Sequence, residues 1–311
     1  MKVLVTSNSF GKFSNQAKEL LENNGFEVVL NKYKRIMNKE EFIGEIADAE
    51  AVILGTEILD EAVLKKATKL RIVSRYGVGI DNIDTSYLEK NGIGLTVTKN
   101  SNNEAVADYT VALMLDVCRG VSYADRMLRT QGWKKKEGID LCNKKVGIIG
   151  LGAIGKEVAK RLKGFNCELF AFDLFYDEDF CTQYDVKKAS IEDILKKAEV
   201  VTLHIPANNS SQPLINKESI KYMKNNAVLI NTARLQLVDD EAIKEALNTG
   251  KLFGYGVDAQ LSVEDIDTDY YTMDNVTLTP HNAAVTVEAS NKMSYISAKN
   301  VVDCLKNQGG E

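Results

Sequence analysis

The sequence predicts an α/β protein made of two doubly wound parallel sheets, and three observations predict it. Short apolar segments alternate with amphipathic helical stretches through most of the 311 residues, as crossover connections between parallel strands require. The alternation comes in two series, the second beginning after Lys144. One apolar segment, 146–149, runs through a glycine-rich turn straight into a helical pattern.

In the first series, strands are expected at 2–6, 27–30, 51–54, 71–74 and 94–97, with helices near 14–24, 39–48 and 61–67. In the second, strands are expected near 146–149, 168–172, 199–203, 227–230, 253–257 and 276–279. Two long helical segments stand apart. Residues 103–129 carry Ala105, Val106, Ala112, Leu113 and Leu115 with almost no breaker, and 286–306 carry Met293, Ile296, Val301, Val302 and Leu305 at helical spacing. A chain of this length has room for two buried cores.

Composition narrows the function classes. A net charge of -5 offers no basic field to a phosphate backbone, so no nucleic-acid partner is expected. No apolar run reaches the ~18 to 20 residues of a membrane span. Residues 1–6 read as a buried strand and not as a leader, so a cytoplasmic protein without a membrane partner is expected. Cys118, Cys142, Cys167, Cys181 and Cys304 include no Cys-x-x-Cys pair and read as single structural thiols, with no metal site. His204 and His281 are the only histidines, which narrows the choice of a proton carrier working near neutrality.

The glycine-rich turn carries the first chemistry. Val146-Gly147-Ile148-Ile149 leads into Gly150-x-Gly152-x-x-Gly155 with Ala153 and Ile154 between, and then an amphipathic helix. Gly150 permits the tight turn, Gly152 lets a pyrophosphate approach the backbone, and Gly155 lets helix and strand pack closely. The following strand ends in Asp173, 21 positions after Gly152, where a carboxylate would bond the adenosine ribose hydroxyls. An acid there, followed by Leu174-Phe175-Tyr176 without a cation, favours NAD over NADP. A Rossmann-like nucleotide domain is therefore expected.

Arg234 directly follows an apolar strand and Asn231-Thr232-Ala233, which places it at the strand's carboxyl end, where open α/β sheets bind ligands. Its planar fork matches a carboxylate. The alternative is a surface arginine bonded to Asp239 or Asp240. His281 follows Val276-Thr277-Leu278-Thr279-Pro280 and has a side chain suited to exchanging a hydroxyl proton, the alternative being a capped or core histidine. His204, also at a strand end, reads as lining the cofactor cleft or as purely structural.

Taken in order, these motifs resemble the D-isomer-specific 2-hydroxyacid dehydrogenases, and within them the phosphoglycerate dehydrogenase-like proteins. The resemblance covers nearly the whole chain. It rests on Val5-Thr6-x-x-Ser9-Phe10, Gly55-Thr56-Glu57, Ser74 through Asp84, Glu104-Ala105-Val106-Ala107-Asp108-Tyr109, the glycine fingerprint, Asn231-Thr232-Ala233-Arg234, Gly256-Val257-Asp258 and Thr279-Pro280-His281. It implies a substrate domain from 1–100 and 284–311, with an NAD-binding domain, 101–283, inserted and joined through the two long helices. It also implies a cleft between domains that closes by hinge motion, and a homodimer formed largely through nucleotide domains. The substrate implied is a small 2-hydroxy or 2-oxo acid, held by Arg234, by Asn102 (or Asn102 is a helix N-cap), and by the turn Arg75-Tyr76-Gly77-Val78-Gly79. His281 would relay the proton. Pro206, Thr232, Ala233 and Asp258 would join the fingerprint around NAD, Asp258 meeting the nicotinamide carboxamide.

Three departures qualify the resemblance. The family's usual glutamate, five residues beyond the position of Asp258, is Val263 here; Glu264 is expected to partner His281 instead through a one-residue loop shift, the alternative being a solvated loop acid, with Gln260 a weaker candidate. The glycine that usually follows the arginine is Leu235, a side chain bulky enough to narrow the pocket. Leu54 and Thr56 stand where phosphoglycerate enzymes place basic residues, leaving Arg75 as the candidate phosphate contact. The rival expectation is a catalytically weak protein on the same fold that senses NAD(H), with formate or phosphite oxidation a minor third.

Overall fold

The computed structural model describes residues 1–207, 213–259 and 267–307, which fall into two compact units. Unit 1 comprises Met1–Asn102 and the segment from Ala284 onward; unit 2 is Asn103–Ala283.

Unit 1 runs β1 (Lys2–Val5), α1 (Gln16–Glu22), β2 (Glu27–Leu30), α2 (Lys39–Ile46), β3 (Ala51–Leu54), α3 (Glu61–Leu64), β4 (Ile72–Arg75), α4 (Thr85–Lys90) and β5 (Gly94–Val97). All strand pairs are parallel, in the order β2-β1-β3-β4-β5. That order reverses direction between β1 and β3, so the crevice for a ligand lies at the carboxyl ends of those strands. Its core gathers Leu4, Phe42, Ile46, Val52, Leu54 and Val73, all at most 1% exposed.

Unit 2 runs α5 (Asn103–Arg119), α6 (Val121–Thr130), β6 (Lys145–Ile149), α7 (Ala153–Lys163), β7 (Glu168–Phe172), α8 (Glu178–Gln183), β8 (Val186–Lys188), α9 (Ile191–Lys197), β9 (Val200–Leu203), α10 (Lys217–Tyr222), β10 (Ala227–Asn231), α11 (Asp240–Asn248), β11 (Leu252–Val257) and β12 (Val276–Leu278). The last helix, α12 (Val287–Asn307), belongs to unit 1, where it packs on β3, β4, β5 and α1. The unit 2 sheet is again all parallel, in the order β12-β11-β10-β9-β6-β7-β8. Alternate residues feed two cores, one on each face. Ile148, Val200, Val228 and Ile230 join α5 and α7, while Ile149, Val201 and Leu229 join α9, α10 and α11. Coverage on both faces explains why these strands read as continuous apolar runs.

The doubly wound, all-parallel architecture is the one the sequence predicts. Local features differ from expectation, among them α4, which has no counterpart in the sequence pattern, and two others with a clear physical cause. The helix expected at 103–129 breaks at Gly120, which sits at φ 62°. There the Asp116 carboxylate takes over, accepting from the Ser122 amide and hydroxyl at 2.7 and 2.6 Å, and restarts the chain as α6. The edge strand β8 was not foreseen, because two of its three residues are exposed lysines (Lys187, Lys188), which is how a sheet edge avoids further pairing.

Candidate functional site

Unit 2 reverses its strand order between β6 and β9, the switch point where a crevice opens at the carboxyl ends. The chemically distinctive residues of unit 2 follow these ends strand by strand. Asp173 follows β7, Gly150 follows β6, His204 follows β9, Arg234 lies just beyond β10, Asp258 follows β11 and His281 lies just beyond β12. Adjacent strands stand about 4.8 Å apart, so the row extends over roughly 24 Å.

The glycine turn is built for close approach. Gly150 adopts φ +104°, and a Cβ there would lie 2.7 Å from the main chain of His204. A Cβ on Gly155 would lie 2.0 Å from the Gly150 carbonyl, so the first turn of α7 packs onto the strand only as glycine. At Gly152 a Cβ would meet nothing within 4 Å. That open space fronts the exposed first residues of an eleven-residue helix. Seven other helices, α2, α3, α4, α8, α9, α10 and α11, are capped by their own Asn, Asp or Ser side chains. α7 starts at Gly152 with no side-chain cap, leaving its first amides to an anion. Asp173 is fixed beside this turn: it accepts the Leu151 amide at 2.6 Å and the Phe175 amide at 3.2 Å. These residues fit a dinucleotide: the uncapped start of α7 would hold a pyrophosphate and the Asp173 carboxylate would accept from ribose hydroxyls.

His204 is half-buried, its main-chain amide bonded to the Ile149 carbonyl at 2.7 Å and its Nε2 to the Thr202 hydroxyl at 2.9 Å. Desolvation pushes its pKa down to about 3, so the ring is neutral at physiological pH. Pro206 is exposed two residues on, and Ala153 is exposed on the helix opposite the turn's glycine. Ile154 is half-buried against the α5–α7 core.

At β10 the turn Asn231-Thr232-Ala233-Arg234 is stapled by one buried side chain. Asn231 Oδ1 accepts the Ala233 amide at 3.0 Å and its Nδ2 donates to the Arg234 carbonyl at 2.9 Å. Thr232 meets the Thr110 hydroxyl of α5 at 3.0 Å. Arg234 Nη1 donates to the Ala233 carbonyl at 2.8 Å. The two acids proposed as surface partners for it are otherwise engaged, Asp239 as the cap of α11 and Asp240 as acceptor for the Tyr270 hydroxyl at 2.8 Å. Leu235, expected to narrow a pocket, packs against the α9–α11 core.

Asp258 is 2% exposed and commits both oxygens to the loop after β12. Oδ1 accepts the Thr279 hydroxyl at 2.6 Å and the Asn282 amide at 2.7 Å; Oδ2 accepts the Ala283 amide at 2.8 Å. Between these anchors His281 sits at φ 51°, its amide bonded to the Thr279 carbonyl at 3.0 Å. A non-glycine residue in this region is disfavoured by about 1 to 2 kcal/mol. Three bonds to a buried carboxylate, each worth ~1.5 to 3 kcal/mol, are ample to hold it. This anchoring escaped the sequence reading. The available signal was an acid at the end of a strand otherwise buried, as with Asn231 and Thr202, both 0% exposed. Glu264, Gln260 and Val263 lie outside the described residues.

Unit 1 carries its own glycine turn, after β4. Gly77 adopts φ +141° and its amide is spent, donating to the Thr98 hydroxyl at 2.9 Å. The amides of Val78 and Gly79 have no acceptor among the described residues. Arg75 turns its guanidinium onto main chain: Nε to the Gly79 carbonyl at 2.8 Å, Nη1 to the Tyr76 and Leu54 carbonyls at 2.6 and 3.1 Å. Tyr76 is 7% exposed and points its hydroxyl inward, to the Ser290 carbonyl at 3.0 Å and to Ser294 of α12 at 3.2 Å. Asn102, immediately before α5, is half-buried and makes no side-chain hydrogen bond among the described residues.

Known proteins share this layout. The family model for the NAD binding domain of D-isomer specific 2-hydroxyacid dehydrogenases matches residues 111–283. The chain is 34% identical over 310 residues to a D-3-phosphoglycerate dehydrogenase of Archaeoglobus fulgidus, covering 98% of this chain but 58% of that relative's length. It is 34% identical over 287 residues to a glyoxylate reductase of Pyrococcus horikoshii, covering 89% of this chain and 86% of the relative. A solved protein of Thermus thermophilus superimposes with a TM-score of 0.87 at 32% identity, over 99% of this chain and 97% of the other. A D-lactate dehydrogenase of Aquifex aeolicus, solved with NAD and lactic acid, does so with a TM-score of 0.82 at 26% identity, over 98% and 96%. With its NAD binding domain matched and its length shared with such relatives, the chain belongs to the D-isomer specific 2-hydroxyacid dehydrogenase family.

Proposed function

We propose that the protein is an NAD-dependent oxidoreductase acting on a small D-2-hydroxy acid or the matching 2-oxo acid. The observation that carries this reading is the row of strand ends in unit 2. A glycine cradle, an arginine on a stapled turn and a histidine on an anchored loop follow one another along a single sheet edge. Bound NADH supplies the hydride. Arg234 receives the substrate carboxylate on its fork and draws charge from the neighbouring carbonyl oxygen. His281, protonated, gives its proton to that oxygen as an alcohol forms; in oxidation the neutral imidazole takes the proton back. His204, held neutral with its pKa near about 3, is not the proton carrier.

The narrower assignments have these supports. An unphosphorylated acid such as glyoxylate fits the named activity of the relative whose length this chain matches. Exposed Val121, Leu128 and Trp133, on and just after α6, at 64%, 59% and 83%, offer unit 2 an apolar face for a homodimer. All five cysteines are free thiols, in keeping with the cytoplasm. No helix among the described residues is long and apolar enough to cross a membrane. The rival reading, a sensor without turnover, draws on Leu235, which is half-buried with part of its side chain against the α9–α11 core.

The test is a screen of glyoxylate, hydroxypyruvate, pyruvate and phosphohydroxypyruvate with NADH, followed by absorbance, beside titration of NADH alone. Turnover of at least one acid is expected. Tight NADH binding with no turnover of any acid would favour the sensor.

A further inference from the structure

We propose that Arg75 is a positioning residue that builds the anion-receiving turn of unit 1, and that the acid this site takes is therefore unphosphorylated. The proposal rests on the reading above and deepens it.

A guanidinium has five N–H groups in a rigid plane. Three contacts of Arg75 go to main-chain carbonyls, those of Leu54, Tyr76 and Gly79, which flank the turn on both sides. Gripping the Tyr76 and Gly79 carbonyls fixes the turn at both ends and so limits how the Val78 and Gly79 amides between them can move. The Gly77 amide is taken by Thr98, and those of Val78 and Gly79 remain available, with Val78 43% exposed. Two neighbouring amides backed by a fixed cation suit one carboxylate. Lysine cannot reproduce this arrangement, because a single ammonium cannot span three carbonyls in a plane.

The neighbouring strand end argues against a phosphate. After β3 comes Glu57, 3% exposed, accepting the Thr6 hydroxyl at 2.5 Å, while Thr6 Oγ1 accepts the Gly55 amide at 2.7 Å. Asn82, from beyond the glycine turn, donates to the Gly55 and Glu57 carbonyls at 3.3 and 2.7 Å, tying this acid loop to the turn. A buried acid at this strand end disfavours a phosphate dianion, and Arg75, at the end of the adjacent strand, is engaged in holding the backbone.

The test compares wild type, Arg75→Gln and Arg75→Lys with glyoxylate, hydroxypyruvate and phosphohydroxypyruvate, together with hydrogen exchange of the Tyr76 and Gly77 amides. Wild type is expected to prefer an unphosphorylated acid. Arg75→Gln should lower kcat/KM for that acid at least roughly tenfold, mainly through KM, and Arg75→Lys should restore little of it. Exchange at Tyr76 and Gly77 should accelerate in both variants while the strands of unit 1 keep their protection, which separates a loosened turn from an unfolded unit. Loss of phosphohydroxypyruvate activity alone, with the unphosphorylated acids spared, would make Arg75 a phosphate ligand and overturn the proposal. So would unchanged exchange at the two amides. Accelerated exchange in a protein whose wild type reduces none of the acids would instead strike the functional reading and leave the positioning role standing.

Discussion

The two glycine turns solve the same problem by different means. Both follow a buried parallel strand and, on the proposed reading, both offer amides to an anion. In unit 2 the turn opens an eleven-residue helix, α7, whose uncapped N-terminus supplies the donors. In unit 1 no long helix follows, and Arg75 holds the amides in place from behind by gripping carbonyls. A helix terminus orients its amides as a by-product of its own hydrogen bonding, so its sequence needs only small residues. A bare loop needs a side chain to do the same work, and that side chain is then unavailable for recognition.

The glycines should show the difference most strongly. Gly155→Ala forces a Cβ to 2.0 Å from the Gly150 carbonyl, so it should destabilise unit 2 by at least about 1 to 3 kcal/mol in chemical denaturation. Gly77→Ala meets only the flexible end of Arg75, at 3.3 Å, and pays mainly for its positive φ, about 1 to 2 kcal/mol. Gly152→Ala enters open space and should leave stability within about 0.5 kcal/mol while weakening NADH binding. Equal losses at Gly155 and Gly152 would mean that the α7 turn is not packed as described.

Next in size is the anchor of the histidine loop. Asp258→Ala removes the acceptor for Thr279, Asn282 and Ala283 and frees His281 from its left-handed backbone. Turnover should fall by roughly 10², the usual cost of misplacing a reacting group by about 1 Å. NADH affinity should change far less. A variant that loses NADH affinity and keeps its turnover at saturating cofactor would return Asp258 to the role of a nicotinamide contact.

At the far end of the row, Asp173→Ala should narrow the preference for NADH over NADPH, seen as a fall in the ratio of the two KM values. The smallest effect concerns His204. The folded state keeps its imidazole neutral down to about 3, whereas an unfolded chain protonates it near ~6.5. The stabilisation is therefore whole above pH ~6.5 and is lost as pH falls toward about 3, because the unfolded state binds the proton first. His204→Gln should flatten that part of the stability profile without changing stability near pH 8.

Much of this was legible in the sequence, for a physical reason. Buried parallel strands such as Ala227–Asn231 must be apolar over their whole length, so they stand out, and functional residues stand at their ends. The Gly150 turn was legible because its spacing reflects packing limits. What stayed hidden was the direction in which polar side chains point. Nothing in Arg75-Tyr76-Gly77 says that the guanidinium folds back on its own turn or that the Tyr76 hydroxyl faces α12. The sequence offers Asp258 as a ligand contact, while its anchoring of a loop more than twenty residues away is visible only in three dimensions. The break at Gly120 was missed because one glycine in a helical pattern is usually tolerated, and here the Asp116 side chain makes the break favourable.

The most direct measurement is kcat/KM for reduction of the best 2-oxo acid by Arg234→Ala and His281→Ala, with NADH binding measured in parallel. Arg234→Ala should lose at least roughly tenfold, with KM for the acid rising, and His281→Ala should lose ~10² to 10⁴ in turnover, while both still bind NADH. Wild-type turnover in both variants would contradict the assignment of Arg234 to the carboxylate and His281 to the proton.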